Sequence, residues 1–160
     1  MFTKINYTAY PPKDKPLMIY DGNCGFCKYW IIKWKKISGS LINYSPYQAV
    51  KSDFKDIDEI QFKEAVRLVL PSGEVLDGPE AAYYTYFLNG KSKFLYQWYG
   101  QKVWFKNFSD WLYQWVADHR GFMYNLSTSL LGKNPRKYKP YWVLYLFFLL
   151  AVVVSLVYFL

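Results

Sequence analysis

One stretch of the 160-residue chain decides its fold: Leu17-Met18-Ile19-Tyr20-Asp21-Gly22-Asn23-Cys24-Gly25-Phe26-Cys27, which holds both of its cysteines. The largely apolar residues 17–20 predict a short buried strand, and Gly22-Asn23 predicts a turn. A helix should follow from Phe26 to Ile37. Cys24 then falls at a helix N-terminus, where free backbone N–H groups and the helix dipole favour a thiolate over a thiol.

The spacing of the two cysteines predicts dithiol chemistry. Positions i and i+3 share one face of a helical turn, so one sulfur can attack a substrate and the other can resolve the mixed disulfide. We expect Cys24 to be the nucleophile and Cys27 the more buried resolving thiol. Asp21 has two candidate roles that the sequence leaves open: an acid/base that takes a proton from the resolving thiol, or a cap on the turn at 22–23.

Metal binding is the main chemical alternative, because a CxxC pair is also half of a tetrahedral thiolate site. The chain has no third cysteine, and its only histidine, His119, lies far away in sequence. A metal would therefore need a dimer or a transient partner. The alternative to an enzyme is thus a non-catalytic, membrane-anchored module that binds a metal transiently or serves as an interaction domain. We expect neither a resident metal nor a cofactor.

The rest of the first hundred residues predicts alternating strands and helices. We expect a strand over 41–44, a short helix over 46–54 capped by Ser45, a charged connector over 55–61, a strand over 65–70, a hairpin turn over 71–74, a returning strand over 75–76 and a helix over 79–88. A β-α-β segment followed by a hairpin and a further helix predicts an α/β fold, a thioredoxin-like mixed sheet with flanking helices.

Residues 91–121 are rich in aromatic side chains that repeat with a helical period. The repeat predicts an amphipathic helix, either packed on the domain or lying at a membrane interface. The residues on its apolar side are Trp104, Phe108, Trp111, Leu112 and Trp115. Residues 125–140 are predicted to be a basic linker.

The last twenty residues, 141–160, carry no charge. As a helix they would be about 30 Å long, the thickness of the hydrocarbon core of a bilayer. Basic residues within 133–139 precede them, which by the positive-inside tendency indicates a cytoplasmic side. Residues 1–14 are polar and lack the apolar core of a secretory signal. We therefore expect a tail-anchored, single-pass membrane protein whose N-terminal domain is cytoplasmic.

The expected organisation is an N-terminal extension (1–14), a thioredoxin-like domain (15–124), the basic linker and a transmembrane helix. The formal net charge is +8. We attribute the excess of basic residues to the solvent-exposed face of the first helix and to the basic segment that precedes residues 141–160. No nucleic-acid-binding signature accompanies it, and we expect no nucleic-acid partner.

Residues 20–27 resemble the signature of the DCC family of thiol-disulfide oxidoreductases, which is named for its DxxCxxC motif. Residues 70–74 and 77–81 look like the hairpin and the glycine-started helix of that family, and 113–120 resembles its closing helix. The resemblance, over about 15–124, implies a thioredoxin-like fold and protein-disulfide reductase activity, with a protein or small-molecule thiol or disulfide as substrate.

Within that family resemblance, Cys24 and Cys27 would be the redox pair and Asp21 the third member of the motif. One departure concerns proline. Thioredoxin-like folds usually place a cis-proline before the third strand, facing the dithiol, but this chain has no proline between Pro46 and Pro71.

Overall fold

The structure is a computed structural model that describes residues 1–90, 92–137, 139 and 141–159, with the side chains of 151–159 left out. The elements in chain order are β1 (Leu17–Tyr20), α1 (Gly25–Ser38), β2 (Asn43–Pro46), α2 (Tyr47–Val50), a 3₁₀ turn (Lys51–Asp53), α3 (Glu59–Glu64), β3 (Arg67–Val69), β4 (Val75–Asp77), α4 (Pro79–Leu88), α5 (Lys93–Gln101), α6 (Val103–Asp118), α7 (Arg120–Leu131) and α8 (Tyr141–Phe159).

The four strands form one mixed sheet in the order β2-β1-β3-β4. β1 runs parallel to β2 and antiparallel to β3, and β4 returns antiparallel beside β3. The β3–β4 turn contains Gly73 at φ 90°, a left-handed conformation that glycine adopts without strain. The predicted α/β, thioredoxin-like sheet is confirmed, with α1 as the crossover between its two parallel strands.

Helices pack on both faces of the sheet. Alternate strand residues point to opposite faces, so each strand contributes side chains to both helix–sheet interfaces. Met18 and Leu68, paired across β1 and β3, are buried in a cluster with residues of α1 and α4. Ile19 and Val69 lie in a second cluster with Phe62 of α3. Arg67 and Asp77, also paired across strands, are almost completely buried.

Most of the local predictions for this half of the chain match the structure within two or three residues. The connector predicted over 55–61 was wrong, because α3 begins at Glu59. A capping box forms there: Gln61 Oε1 accepts a 2.9 Å hydrogen bond from the Asp58 backbone N–H. Ser45 does not cap α2, since the N-cap residue is Pro46 and no side chain caps that helix.

The N-terminal residues pack on the sheet. Phe2 and Thr8 are buried, and the Ile5 backbone N–H donates a 2.6 Å hydrogen bond to Asp77 Oδ2. Lys4 forms a 2.9 Å ion pair with Asp110 of α6. These contacts join residues 2–8 to β4 and to the C-terminal helices.

The C-terminal half is helical. The predicted amphipathic helix is α6, but Trp104, Phe108 and Trp111 are 62%, 51% and 59% exposed. Helix α6 does pack on the domain, as one of the two predictions had it, but through the side that carries the buried Ser109 and Asp110 and not mainly through these rings. Residues 125–131 of the predicted linker are helical as the end of α7.

The transmembrane helix predicted over 141–160 is not confirmed. Residues Tyr141–Phe159 form α8, but no helix within the described residues is long and apolar enough to cross a membrane. The side chains of 151–159, and Leu160 as a whole, lie outside those residues.

Candidate active site

The two cysteines lie where β1 turns into α1. Cys24 is the N-cap residue of α1, and its Sγ accepts a 3.1 Å hydrogen bond from the Cys27 backbone N–H. The two sulfurs form a disulfide, with 5.2 Å between the Cα atoms. Both residues are partly exposed. The predicted pairing of these sulfurs on the first turn of the helix is therefore present in the folded chain.

Asp21 holds the loop that carries the cysteines. Its Oδ1 accepts hydrogen bonds from the Asn23 backbone N–H and from Gln48 Nε2, each 2.9 Å long. Its carbonyl oxygen accepts a 3.3 Å hydrogen bond from the Cys24 backbone N–H. This is the geometry of a turn-capping aspartate. Asp21 also lines the same cavity as Cys27, and an acid/base role stays a prediction alongside the cap.

Gly22 is required by close packing. A Cβ at this position would lie 2.7 Å from Pro46 Cβ and 2.9 Å from Gln48 Oε1, closer than real Cβ contacts. The same Gln48 Oε1 accepts a 3.0 Å hydrogen bond from the Gly22 backbone N–H. Gln48 therefore ties both Asp21 and Gly22 to α2.

No pattern in the sequence indicates a role for Gln48. It lies 24 residues after Cys24, on a four-residue helix, and a surface glutamine carries no signal of its own. Only the parallel pairing of β1 with β2, which places Tyr20 opposite Pro46, brings α2 beside the cysteine loop.

Helix α7 lies across the start of α1. A Cβ on Gly25 would meet the Tyr124 ring at 3.8 Å, an ordinary van der Waals contact. Tyr124 also packs edge-on against Tyr29, whose hydroxyl donates a 2.9 Å hydrogen bond to the Gly132 carbonyl. The Tyr124 ring therefore occupies part of the space beside Gly25 at the start of α1.

A cavity of about 280 Å³ lies beside the dithiol, and Cys27 forms part of its wall. Helices α1, α4, α6 and α7 contribute most of the rest of the wall, together with Tyr20, Asp21 and residues of α3, and its surface is almost entirely apolar. Burial raises the pKa of Tyr20 and of Tyr113, two lining residues, above the ordinary tyrosine value. Both rings are therefore uncharged at neutral pH. The cavity brings together residues that are distant in sequence, and no local sequence pattern predicts it.

The segment before β3 contributes Ala65 and Val66 to the same wall. The Val66 backbone N–H donates a 3.1 Å hydrogen bond to the Tyr113 hydroxyl. No cis peptide bond occurs in the described part of the chain, in keeping with the lack of a proline in this segment.

The CxxC pair gains no further metal ligand from the described residues. They contain no group of three or more His, Cys, Asp or Glu residues that could hold a metal ion. His119 is exposed, and its Nδ1 lies 2.8 Å from the Trp115 carbonyl oxygen in α6.

A dithiol that begins the first helix of a β-α-β unit is the arrangement of a thioredoxin-like redox motif. The fold and the site thus define the class of thiol-disulfide oxidoreductases. The sequence model of the DCC1-like thiol-disulfide oxidoreductase family matches residues 18–126, more than half of the chain. The chain belongs to this family and is accordingly an enzyme of thiol-disulfide exchange. No curated protein and no solved structure matches it.

Proposed function

We propose that the protein reduces disulfide bonds, in proteins or in small molecules, with Cys24 as the attacking sulfur. The Cys24 thiolate attacks one substrate sulfur, forms a mixed disulfide and releases the other substrate sulfur as a thiol after protonation. Cys27 then attacks Cys24 Sγ and releases the second substrate thiol. The substrate gains two electrons and two protons, and the chain is left with the Cys24–Cys27 disulfide.

One observation carries this assignment of roles: the hydrogen bond from the Cys27 N–H to Cys24 Sγ. A donor aimed at a sulfur favours its thiolate, because hydrogen bonds to charged acceptors are the stronger ones. The dipole of the fourteen-residue helix α1 acts in the same direction. Cys27, inside the helix and against the apolar cavity, lacks this cap.

Trapping of the mixed disulfide tests the proposal. The Cys27→Ser variant, reduced and then mixed with an oxidised model protein, should accumulate a mixed disulfide on Cys24 that resists resolution. Cys24→Ser is the matched control and should accumulate little. The wild-type chain, supplied with a small dithiol as electron donor, should reduce the model protein repeatedly. Equal trapping in the two variants, or no turnover by the wild type, would contradict the assignment.

We further propose that the chain is attached to a membrane through α8, with the catalytic domain on the cytoplasmic side. Leu144, Phe147 and Phe148, in the described first half of α8, are each more than 60% exposed, and no charge occurs over 141–160. The basic residues within 133–139 support the orientation. The exposed aromatic side chains of α6 suit a position at the membrane interface.

Membrane fractionation of the full chain tests this attachment. The wild type should stay with membranes after alkaline extraction. A Leu146→Arg, Leu150→Arg double variant should lose much of this retention, since each arginine costs about 2.5–3.5 kcal/mol at the centre of a membrane helix. The matched control is Lys13→Arg, Lys36→Arg, which leaves α8 intact. A wild-type chain that is extracted as completely as the double variant would overturn the proposed attachment.

A further inference from the structure

We propose that a cleft between the end of α7 and the start of α8 binds a phosphate group, that of the headgroup of an anionic phospholipid. The cleft belongs to a part of the chain that the disulfide chemistry does not use. The inference rests on the proposed attachment of α8 to a membrane, and it adds the kind of lipid that the attached chain selects.

The cleft lies at the loop that joins the two helices. Its volume is about 560 Å³, within the range of about 300–1,000 Å³ that is typical of small-molecule sites. Lys133, Lys137 and Lys139 line it from the loop, and Tyr141 and Tyr145 line it from α8. All three lysines are exposed, so the cleft is open to a headgroup at a membrane surface.

The fold of the loop brings its two ends together. The Lys139 backbone N–H donates a 3.3 Å hydrogen bond to the Leu131 carbonyl at the end of α7. A Cβ on Gly132 would lie 3.5 Å from Lys139 Cβ, an ordinary van der Waals contact. The Tyr29 hydroxyl donates a 2.9 Å hydrogen bond to the Gly132 carbonyl and so ties the start of the loop to α1. The lysines therefore share one cleft because the loop folds back on itself.

The charge of the cleft favours an anion. Three ammonium groups line it, and none of the described residues in its wall is acidic. The chain has no acidic residue after Asp118. Like charges repel one another, and a cleft lined by positive charge concentrates anions. A phosphate group would replace this repulsion with attraction and accept charge-assisted hydrogen bonds from the lysines.

The positive charge of the chain is concentrated in the half that contains the cleft. Residues 91–160 hold nine lysine or arginine residues and two acidic ones, so they carry +7 of the formal net charge of +8. The lysines of α1 are offset within residues 1–90, which hold eleven basic and ten acidic residues. An anionic bilayer surface would therefore attract the C-terminal half of the chain.

The apolar surface next to the cleft indicates a lipid as the source of the phosphate. Leu144, Phe147 and Phe148 follow on α8 and are each more than 60% exposed. Tyrosine side chains such as Tyr141 and Tyr145 are typical of the headgroup level of a bilayer. Cations directly before an apolar helix are the pattern of anionic-lipid recognition. A phospholipid matches both parts, with its phosphate in the cleft and its acyl chains along α8.

Two lipids of matched acyl chains test the proposal on the full chain. Dioctanoyl phosphatidylglycerol carries a net negative charge, and dioctanoyl phosphatidylcholine carries none. Each is added to the chain in micelles of a neutral detergent, and bound lipid is measured by native mass spectrometry. The wild type should bind the phosphatidylglycerol at least about 5-fold more tightly, the factor that corresponds to about 1 kcal/mol, the contribution of one lysine near an anionic surface.

Substitution of the cleft lysines is the second arm. The triple variant Lys133→Gln, Lys137→Gln, Lys139→Gln should bind the two lipids equally. Replacement of the same three residues with arginine keeps the charge and should keep the preference. The matched control, which should also keep it, removes three charges at exposed positions outside the cleft: Lys13→Gln, Lys36→Gln and Lys55→Gln.

Glycerol phosphate distinguishes a lipid from a free phosphate compound. It carries the phosphate without acyl chains, so at the same concentration it should displace little of the bound phosphatidylglycerol. Displacement as effective as that by phosphatidylglycerol itself would overturn the lipid as the source of the phosphate.

Two further results would overturn the proposal: equal binding of the two lipids by the wild type, or a preference that survives the triple glutamine variant. A chain that stays with membranes after alkaline extraction but shows no lipid preference defeats this proposal alone. A chain that alkaline extraction removes, yet that prefers phosphatidylglycerol through the three lysines, supports the cleft and defeats only the attachment through α8.

Discussion

The backbone N–H of Cys27 donates a 3.1 Å hydrogen bond to Sγ of Cys24. The first sulfur of the pair is thus the side-chain cap of α1, and the second residue supplies the donor. This relationship makes the two cysteines unequal, since only Cys24 caps the helix.

We expect this difference between Cys24 and Cys27 to appear in the alkylation rates of the reduced protein. In Cys27→Ser the Cys24 thiol should titrate below the free-thiol pKa of about 8.5, because the helix N-terminus stabilises its thiolate. In Cys24→Ser the Cys27 thiol should titrate higher and react more slowly. The measurement is the pH dependence of the rate with a small alkylating reagent. Identical profiles for the two variants would show that the helix cap does not distinguish the sulfurs.

Substitution of Asp21 can distinguish between its two candidate roles, the turn cap and the acid/base. Asparagine keeps an oxygen that accepts from the Asn23 N–H and from Gln48 Nε2, but it cannot carry a proton as an acid/base. If Asp21 only caps the turn, Asp21→Asn should retain nearly all exchange activity, while Asp21→Ala should lose stability by about 0.5–2 kcal/mol. The measurements are turnover and urea unfolding. We expect the capping outcome, and a loss of turnover in a stable Asp21→Asn would assign proton transfer instead.

The Arg67–Asp77 pair should dominate the polar contribution to stability. Arg67 Nη1 donates hydrogen bonds to Asp77 Oδ1 (2.6 Å) and to the Thr3 carbonyl (2.7 Å), and its Nε and Nη2 donate to the Gln61 carbonyl. Arg67→Met would leave a buried carboxylate unpaired and should cost about 3–5 kcal/mol in urea unfolding. The control Lys51→Met breaks an exposed pair and should cost at most about 1 kcal/mol. Equal losses would contradict this difference.

The sequence predicted those parts of the fold that short-range signals determine. The strand at 17–20, the helix that begins beside Cys24, the turn at 71–74 and the helix opened by Pro79 each depend on neighbouring residues. Helix α3 was missed because only six residues form it and the charged run around it suggested a connector. Its signal was the capping pair Asp58 and Gln61.

Only the part of the site that lies within one short stretch of sequence was predictable. Cys24, Cys27 and Asp21 lie within seven residues of each other, so spacing alone brings them together. Gln48 and Tyr124 reach the motif through β-strand pairing and helix packing, which no local pattern encodes. Arg67 resembled an ordinary strand residue, although its guanidinium connects β3, β4, α3 and the N-terminus.

The Glu59 carboxylate provides a prediction on pH. Hydrogen bonds from Lys51 and Lys63, 2.6 and 2.7 Å long, lower the pKa of Glu59 from 4.5 to about 2. A carboxyl group whose pKa is lowered by folding stabilises the folded state above its unfolded pKa, and the contribution is lost as the pH falls toward the folded value. The stability that Glu59 contributes should therefore be present at pH 7 and disappear between about pH 4.5 and 2.

Comparison of the wild type with Glu59→Gln isolates this contribution. The urea midpoints of the two proteins should differ at pH 7 and converge near pH 2. Because all three side chains are exposed, the difference should be small and should shrink further in 1 M salt, where the Debye length is about 3 Å. A difference that persists unchanged at pH 2 would mean that Glu59 acts through its place at the start of α3 rather than through its charge.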